Sequence, residues 1–167
     1  MQEFVPYPSP IDVARCLDPK RLRKQFIECD QILKAIKGES QAWKNHPVVK
    51  MYLRHSSWLE SYRDCLYYFQ DGDIDWAQDR SDYAEQLFRP PFLTTDFCDQ
   101  HKRRLYTKAP EIYPQFAEYG TSDENWYVVD GMLRVYVNGK IVVAYPESWL
   151  QTNDPLADVK AMTEKLK

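Results

Sequence analysis

The sequence predicts a mainly α fold, a compact helical domain that ends in a small C-terminal antiparallel β meander and a terminal helix. Three observations point there. Apolar residues recur at helical spacing over residues 18–37 and 47–69, prolines and glycines bracket those stretches, and β-rich runs broken by turn dipeptides appear only after residue 125.

The arm "MQEFVPYPSP" reads as extended, because Pro6, Pro8 and Pro10 exclude regular hydrogen bonding. Asp18 as a cap, Pro19 in the first turn and Gly38 as a stop then frame the first helix. At 100° per residue, Leu22, Phe26, Cys29, Leu33 and Ile36 line one apolar face of it. A second helix is expected from Pro47 to about Phe69, carried by Val48, Met51, Tyr52, Leu59, Tyr62 and Leu66. "QDGDIDWAQDRSD" reads as a loop entering a shorter helix that ends before Pro90 and Pro91, and a further helix runs from near Asp96 to about Lys108. In "WYVVDGMLRVYVNGKIVVAY", Asp130-Gly131 and Asn138-Gly139 separate β-rich runs and predict a three-stranded meander. Asp154-Pro155 opens the terminal helix. The expected division is a helical domain over residues 1–129 and a meander-and-helix extension over residues 130–167, packed on it.

Composition removes several function classes. At 167 residues the chain is one domain's worth, long enough for a real core. No apolar run approaches the roughly 18 residues of a membrane span, and the amino terminus has neither the basic start nor the apolar stretch of a signal peptide, so a soluble cytoplasmic protein without a membrane partner is expected. Cys16, Cys29, Cys65 and Cys98 are widely spaced, with no CxxC and no histidine at ligand spacing. Reduced thiols follow, with no metal and no cofactor expected.

The net charge of -3 speaks against indiscriminate nucleic-acid binding, but it is unevenly spread. Residues 1–54 carry ten Lys and Arg against six Asp and Glu, and residues 90–110 four against two; the segments after each are acidic. A local anion-binding face and ordinary surface scatter both fit that pattern.

The first helix sharpens the question. Lys20, Arg21, Arg23 and Lys24 crowd the end where the helix dipole is already positive. Lys20, Arg21, Lys24, Glu28 and Gln31 share one face, which reads either as a solvated stripe with a Lys24–Glu28 pair or as a site for an external anion with a carboxylate among its cations. The helix near residues 96–108 repeats the theme. Phe97, Cys98, His101 and Leu105 form its apolar side, and Arg104 and Lys108 border that side, either snorkelling to solvent or lining a cleft. His101 suits a core histidine better than a general base. His46, before Pro47, is a helix cap or a cleft residue.

"LDPKRLRKQFIECDQIL", "WKNHPVVKMY" and "HKRRLYTKAPEIYPQF", with the arm "FVPYPS", resemble the pyrimidine-dimer DNA glycosylase family of the endonuclease V type, in its phage and bacterial members. The resemblance covers about residues 1–70 and 90–129. It implies a compact helical DNA-repair fold in the cytoplasm of a bacterial host, which flips a nucleotide from the duplex. It further implies attack of the chain's terminal amine on the sugar C1′, with a glutamate on the first helix assisting β-elimination at the abasic site. By position that glutamate resembles Glu28, Arg104 and Lys108 resemble the basic pair of the later helix, and Lys20 and Arg21 fall where the family has polar residues that contact DNA near the lesion; with Lys24 on the same face, these cations are the expected phosphate contacts. Gln31, His46 and His101 are possible cleft residues. Gln2 is bulky enough to leave Met1 in place, so the nucleophile would be the Met1 amine. Phe26, Ile27 and Gln31 stand where relatives commonly carry arginine.

The implied partner is DNA with a damaged or modified pyrimidine, or a nucleotide-like ligand, with no cofactor. Two other readings stay open: a non-catalytic module that binds modified bases, nucleotides or phosphorylated signals, and a protein–protein interaction module offering "VYVNGKIVVAY" as an edge strand.

Overall fold

The computed structural model describes residues 3–87 and 89–150. The chain divides into two compact units, Met1–Pro90 and Pro91–Lys167. The fold is mainly α, as the spacing predicts, and no helix among the described residues is long and apolar enough to cross a membrane.

The first unit holds α1 (Pro10–Cys16), α2 (Pro19–Ile36), α3 (Pro47–Tyr52), α4 (Ser56–Gln70) and α5 (Ile74–Gln86), with α4 packed against α1, α2 and α5. The sequence placed Pro10 in an extended arm; it instead opens α1, because the first helical position needs no amide hydrogen and proline's fixed φ already suits it. The helix expected over 47–69 is two helices. Its apolar spacing lapses across "LRHSS", and His55 leaves helical geometry there (φ -129°, ψ 26°) before Leu59 N–H bonds to His55 C=O and starts α4.

Helix α2 keeps its predicted ends. Asp18 caps it by accepting from the Arg21 amide. Its buried stripe, however, contains Gln25 and Glu28 beside Leu22, Cys29, Ile32 and Leu33, while Phe26 and Ile36 are only half-buried. Tyr52, Tyr62, Leu59 and Leu66 complete the core of this unit, each fully buried and each contributing about 2 kcal/mol of apolar transfer.

The second unit holds α6 (Thr95–Lys108), a 3₁₀ turn at Pro114–Tyr119 and the meander β1 (Asn125–Val129), β2 (Met132–Val137) and β3 (Lys140–Pro146). The strands pair antiparallel in the order β1-β2-β3. Asp130 and Gly131 (φ 53° and 72°), like Asn138 and Gly139 (φ 51° and 76°), place positive φ at both turn positions, the geometry whose twist suits a two-residue hairpin. The register slips between Val135 and Tyr136, where Val142 is the extra residue on β3 and is exposed. The α6 side chain of Gln100 fastens the chain entering β1, donating to Ser122 Oγ and to the Glu124 carbonyl, both at 2.9 Å. The terminal helix expected from Asp154-Pro155 lies outside the described residues.

Candidate active site

The amino-terminal arm has no regular structure, yet residues 3–6 are buried. Side chains from three helices supply the hydrogen bonds that a helix or strand would have given. Gln25 of α2 accepts from the Phe4 amide at 2.8 Å, and Tyr62 of α4 donates to the Phe4 carbonyl at 3.0 Å. Tyr52 of α3 donates to Oε1 of Glu3. With both Phe4 backbone groups satisfied, burial of irregular chain costs little.

This clamp delivers a carboxylate to a carboxylate. Glu3 and Glu28 are each 7 % exposed, and the Oε2 atom of each is buried without a hydrogen-bond partner. Desolvation pushes the Glu3 carboxyl up to about 8, Tyr52 opposes that shift, and the negative charge of Glu28 adds to it. Around the pair sit the Cys29 thiol and the Tyr52 and Tyr62 phenols, all fully buried and all raised well above their usual values, chiefly by desolvation. At neutral pH the site thus holds a protonated Glu3 next to Glu28, among neutral donors. A buried proton donor beside a second carboxyl group supplies the ingredients of acid–base chemistry.

The other residues of the predicted face of α2 differ in circumstance. Lys20, Lys24 and Gln31 are exposed. Arg21 is half-buried and pairs with Asp18 at 3.0 Å, so one cation at the helix start is balanced by the helix's own cap. His46 is the N-cap of α3: its Nδ1 accepts from the Val48 amide at 3.2 Å, and burial lowers its pKa, so the ring is neutral. Met1 lies outside the described residues.

On α6 in the second unit, His101 is buried against the Phe97 ring, with centroids 4.8 Å apart. Lys102 pairs with Asp99 at 2.9 Å, and Arg103 donates to the Tyr119 carbonyl at 3.0 Å. Arg104 is half-buried, and desolvation lowers its pKa against the pull of Tyr127 and Asp123; Lys108 is exposed. Among the described residues, no group of three His, Cys, Asp or Glu could hold a metal ion.

Glu3 and Gln25 were absent from the residues singled out by sequence. A signal existed for Gln25: it stands between Leu22 and Cys29 at core spacing, a polar amide inside an apolar stripe. Tyr52 and Tyr62 were read as core positions, which they are, but spacing alone does not show where a phenol hydroxyl points. Glu3 gave no comparable signal.

Residues 1–68 match the family model for pyrimidine dimer DNA glycosylase. The matched span contains the arm, α1, α2, α3 and most of α4, and hence Glu3, Gln25, Glu28, Tyr52 and Tyr62. It stops short of α6, so it contains Glu28 and the cations of α2 but not Arg104 or Lys108. Neither the curated proteins nor the solved structures compared with the chain gave a match.

Proposed function

We propose that the protein is a DNA glycosylase with associated abasic-site lyase activity on damaged or modified pyrimidines, with the Met1 amine as nucleophile and Glu28 as acid and base. One observation carries this reading. Within the span that matches the glycosylase family, the arm turns back onto α2 and sets Glu3 beside Glu28, in a buried carboxyl pair at the very start of the chain.

The chemistry follows from these groups. An α-amine, with a reference pKa of about 7.7–8.0, is partly neutral and nucleophilic at physiological pH. Its nitrogen bonds to C1′ of a flipped nucleotide as the glycosidic bond breaks. The electron pair of that bond leaves with the pyrimidine, which takes up one of the amine's protons; the C1′–O4′ bond then breaks as the C1′=N bond forms, and O4′ takes up the other proton, leaving a ring-opened imine. Glu28 then accepts the C2′ proton, the C3′–O bond breaks, and the strand parts with the phosphate as leaving group. Glu3 has a supporting part. Because it stays protonated at neutral pH, it adds no negative charge to the site, and the amine is spared a carboxylate that would hold it as an unreactive ammonium. Lys20 and Lys24, with Arg104 and Lys108, would hold phosphates without reading sequence, while Arg21 is engaged with Asp18.

Borohydride reduction in the presence of abasic or dimer-containing DNA tests this. The expected result is a covalent protein–DNA adduct that disappears when the terminal amine is acetylated or in Glu28→Gln. Salt-sensitive DNA binding without any adduct would replace the enzyme with a binding module. Absence of DNA binding would leave the interaction-module reading.

A further inference from the structure

A cavity with a volume of about 190 Å³ is lined by described residues of the second unit. Its walls include Trp126, Tyr145 and Trp149, with Leu133 and Val135 between them, and it has two acids, Asp96 and Glu124. Tyr145 and Trp149 stack with ring centroids 4.0 Å apart. Glu124 is fixed in the wall by accepting from the Trp126 indole N–H at 2.9 Å. Among the described residues, no lysine, arginine or histidine lines the cavity.

Asp96 is the unusual member. It stands in the first turn of α6 but does not cap it, since Thr94 accepts the Phe97 amide instead. It is 2 % exposed, and its Oδ2 is buried with no hydrogen-bond partner. A buried carboxylate oxygen without a partner forfeits its hydration and gains nothing in return, at a cost of a few kcal/mol. The Arg103 guanidinium offsets part of the Asp96 charge without bonding to its Oδ2, and aromatic walls beside that unbonded oxygen describe a receptor for a cation.

We infer that this cavity binds an alkylated ammonium group, with Asp96 and Glu124 supplying the charge and Trp126, Tyr145 and Trp149 the aromatic surface. The apolar walls select among cations. A bare ammonium is strongly hydrated and would surrender that water to leucine and valine, whereas a methylated one is weakly hydrated and presents a greasy surface that still carries the charge. A guanidinium brings five N–H donors to a wall with two carboxylates, one already engaged by an indole. A nucleotide brings phosphate to a cavity whose charged groups are both acids. The group could arrive on a methylated lysine side chain or as a small free amine; the recognition chemistry is the same. Nothing in this inference depends on the DNA chemistry proposed for the first unit.

Tryptophan fluorescence of the full chain, titrated with tetramethylammonium and with a short peptide containing trimethyllysine, provides the test; neopentyl alcohol serves as the neutral control of similar shape. A saturable change with the cations and none with the alcohol is expected. Asp96→Asn should weaken cation binding at least tenfold, and Glu124→Gln should weaken it severalfold, providing a second variant should Asp96→Asn fail to fold. Peptide binding several times tighter than the free ion identifies a lysine side chain as the source, and equal affinity identifies a free amine. The inference is overturned by the absence of saturation, by equal binding of the alcohol, or by carboxamide variants that bind as the parent does.

Discussion

The arm at residues 3–9 and the meander at residues 125–146 solve the same problem in opposite ways. Each must satisfy backbone hydrogen bonds. The meander does it locally, with ladders between strands joined by two-residue turns, and it leaves one of its edges, β3, largely exposed. The arm does it remotely: the Phe4 amide and carbonyl are met by side chains 21 and 58 residues away in sequence. Regularity therefore marks the part of the molecule with the cheaper solution. The irregular segment is the one that required specific partners, and those partners bring a buried carboxyl pair with them.

Four substitutions probe that contrast, two of them in the clamp around Phe4. The largest effect is expected at Glu3. Its carboxyl is raised from 4.5 to about 8 in the folded protein, so between those values the native state holds a proton that the unfolded chain has released. Stability should fall as pH rises through that window and level off above it, with a total of about 5 kcal/mol. Glu3→Gln should flatten most of this slope in urea melts taken from pH 4.5 to 8.5; what remains combines a falling contribution from Asp96, whose pKa burial raises, with rising contributions from His46 and His55, whose pKa values burial lowers. A variant with an unchanged slope would mean that the arm is not anchored by a protonated acid.

Gln25→Leu comes next. It fits the apolar stripe of α2 but strands the buried Phe4 amide, and should cost about 2 kcal/mol by denaturant midpoint. If the variant is as stable as the parent, the remote clamp contributes nothing and the contrast with the meander fails. Tyr62→Phe removes the donor to the Phe4 carbonyl, and a loss of about 1 kcal/mol is expected, less than for Gln25 because a carbonyl tolerates a missing partner better than an amide does. Asn138→Ala tests the local side. At φ 51° alanine is strained, but the turn is exposed and the adjacent Gly139 retains its freedom, so about 1 kcal/mol or less is expected, confined to the second unit. Hydrogen exchange would localise it: amides of β2 and β3 should lose protection while those of α2 and α4 should not.

The same contrast explains what could be read from sequence. Asn138-Gly139 and Asp130-Gly131 announce their turns because the information lies in adjacent residues, and Asp18, Pro19 and Gly38 frame α2 for the same reason. Pro10 misled because proline forbids a helix interior but favours a helix start, and only the residues after it decide which applies. The break between α3 and α4 shows in sequence as a lapse in apolar spacing over "LRHSS", which a reading by periodicity bridges too readily. Glu28 could be singled out, being the lone acid on a basic face. That it would be buried could not, because its burial comes from an arm folded back from twenty-five positions earlier. The crowded cations at the start of α2 were legible as an anomaly; that Arg21 turns to Asp18 is a matter of side-chain geometry.

The tight seat of Glu3 and Phe4 also bears on how the protein should be produced. A purification tag fused ahead of Met1 would have to thread out from beside a residue that is 7 % exposed, dragging against the Gln25, Tyr52 and Tyr62 contacts, and would convert the terminal amine into an amide. Under the proposed amine chemistry, material made that way gives no adduct in the borohydride assay, so a cleavable handle should go at the other end of the chain.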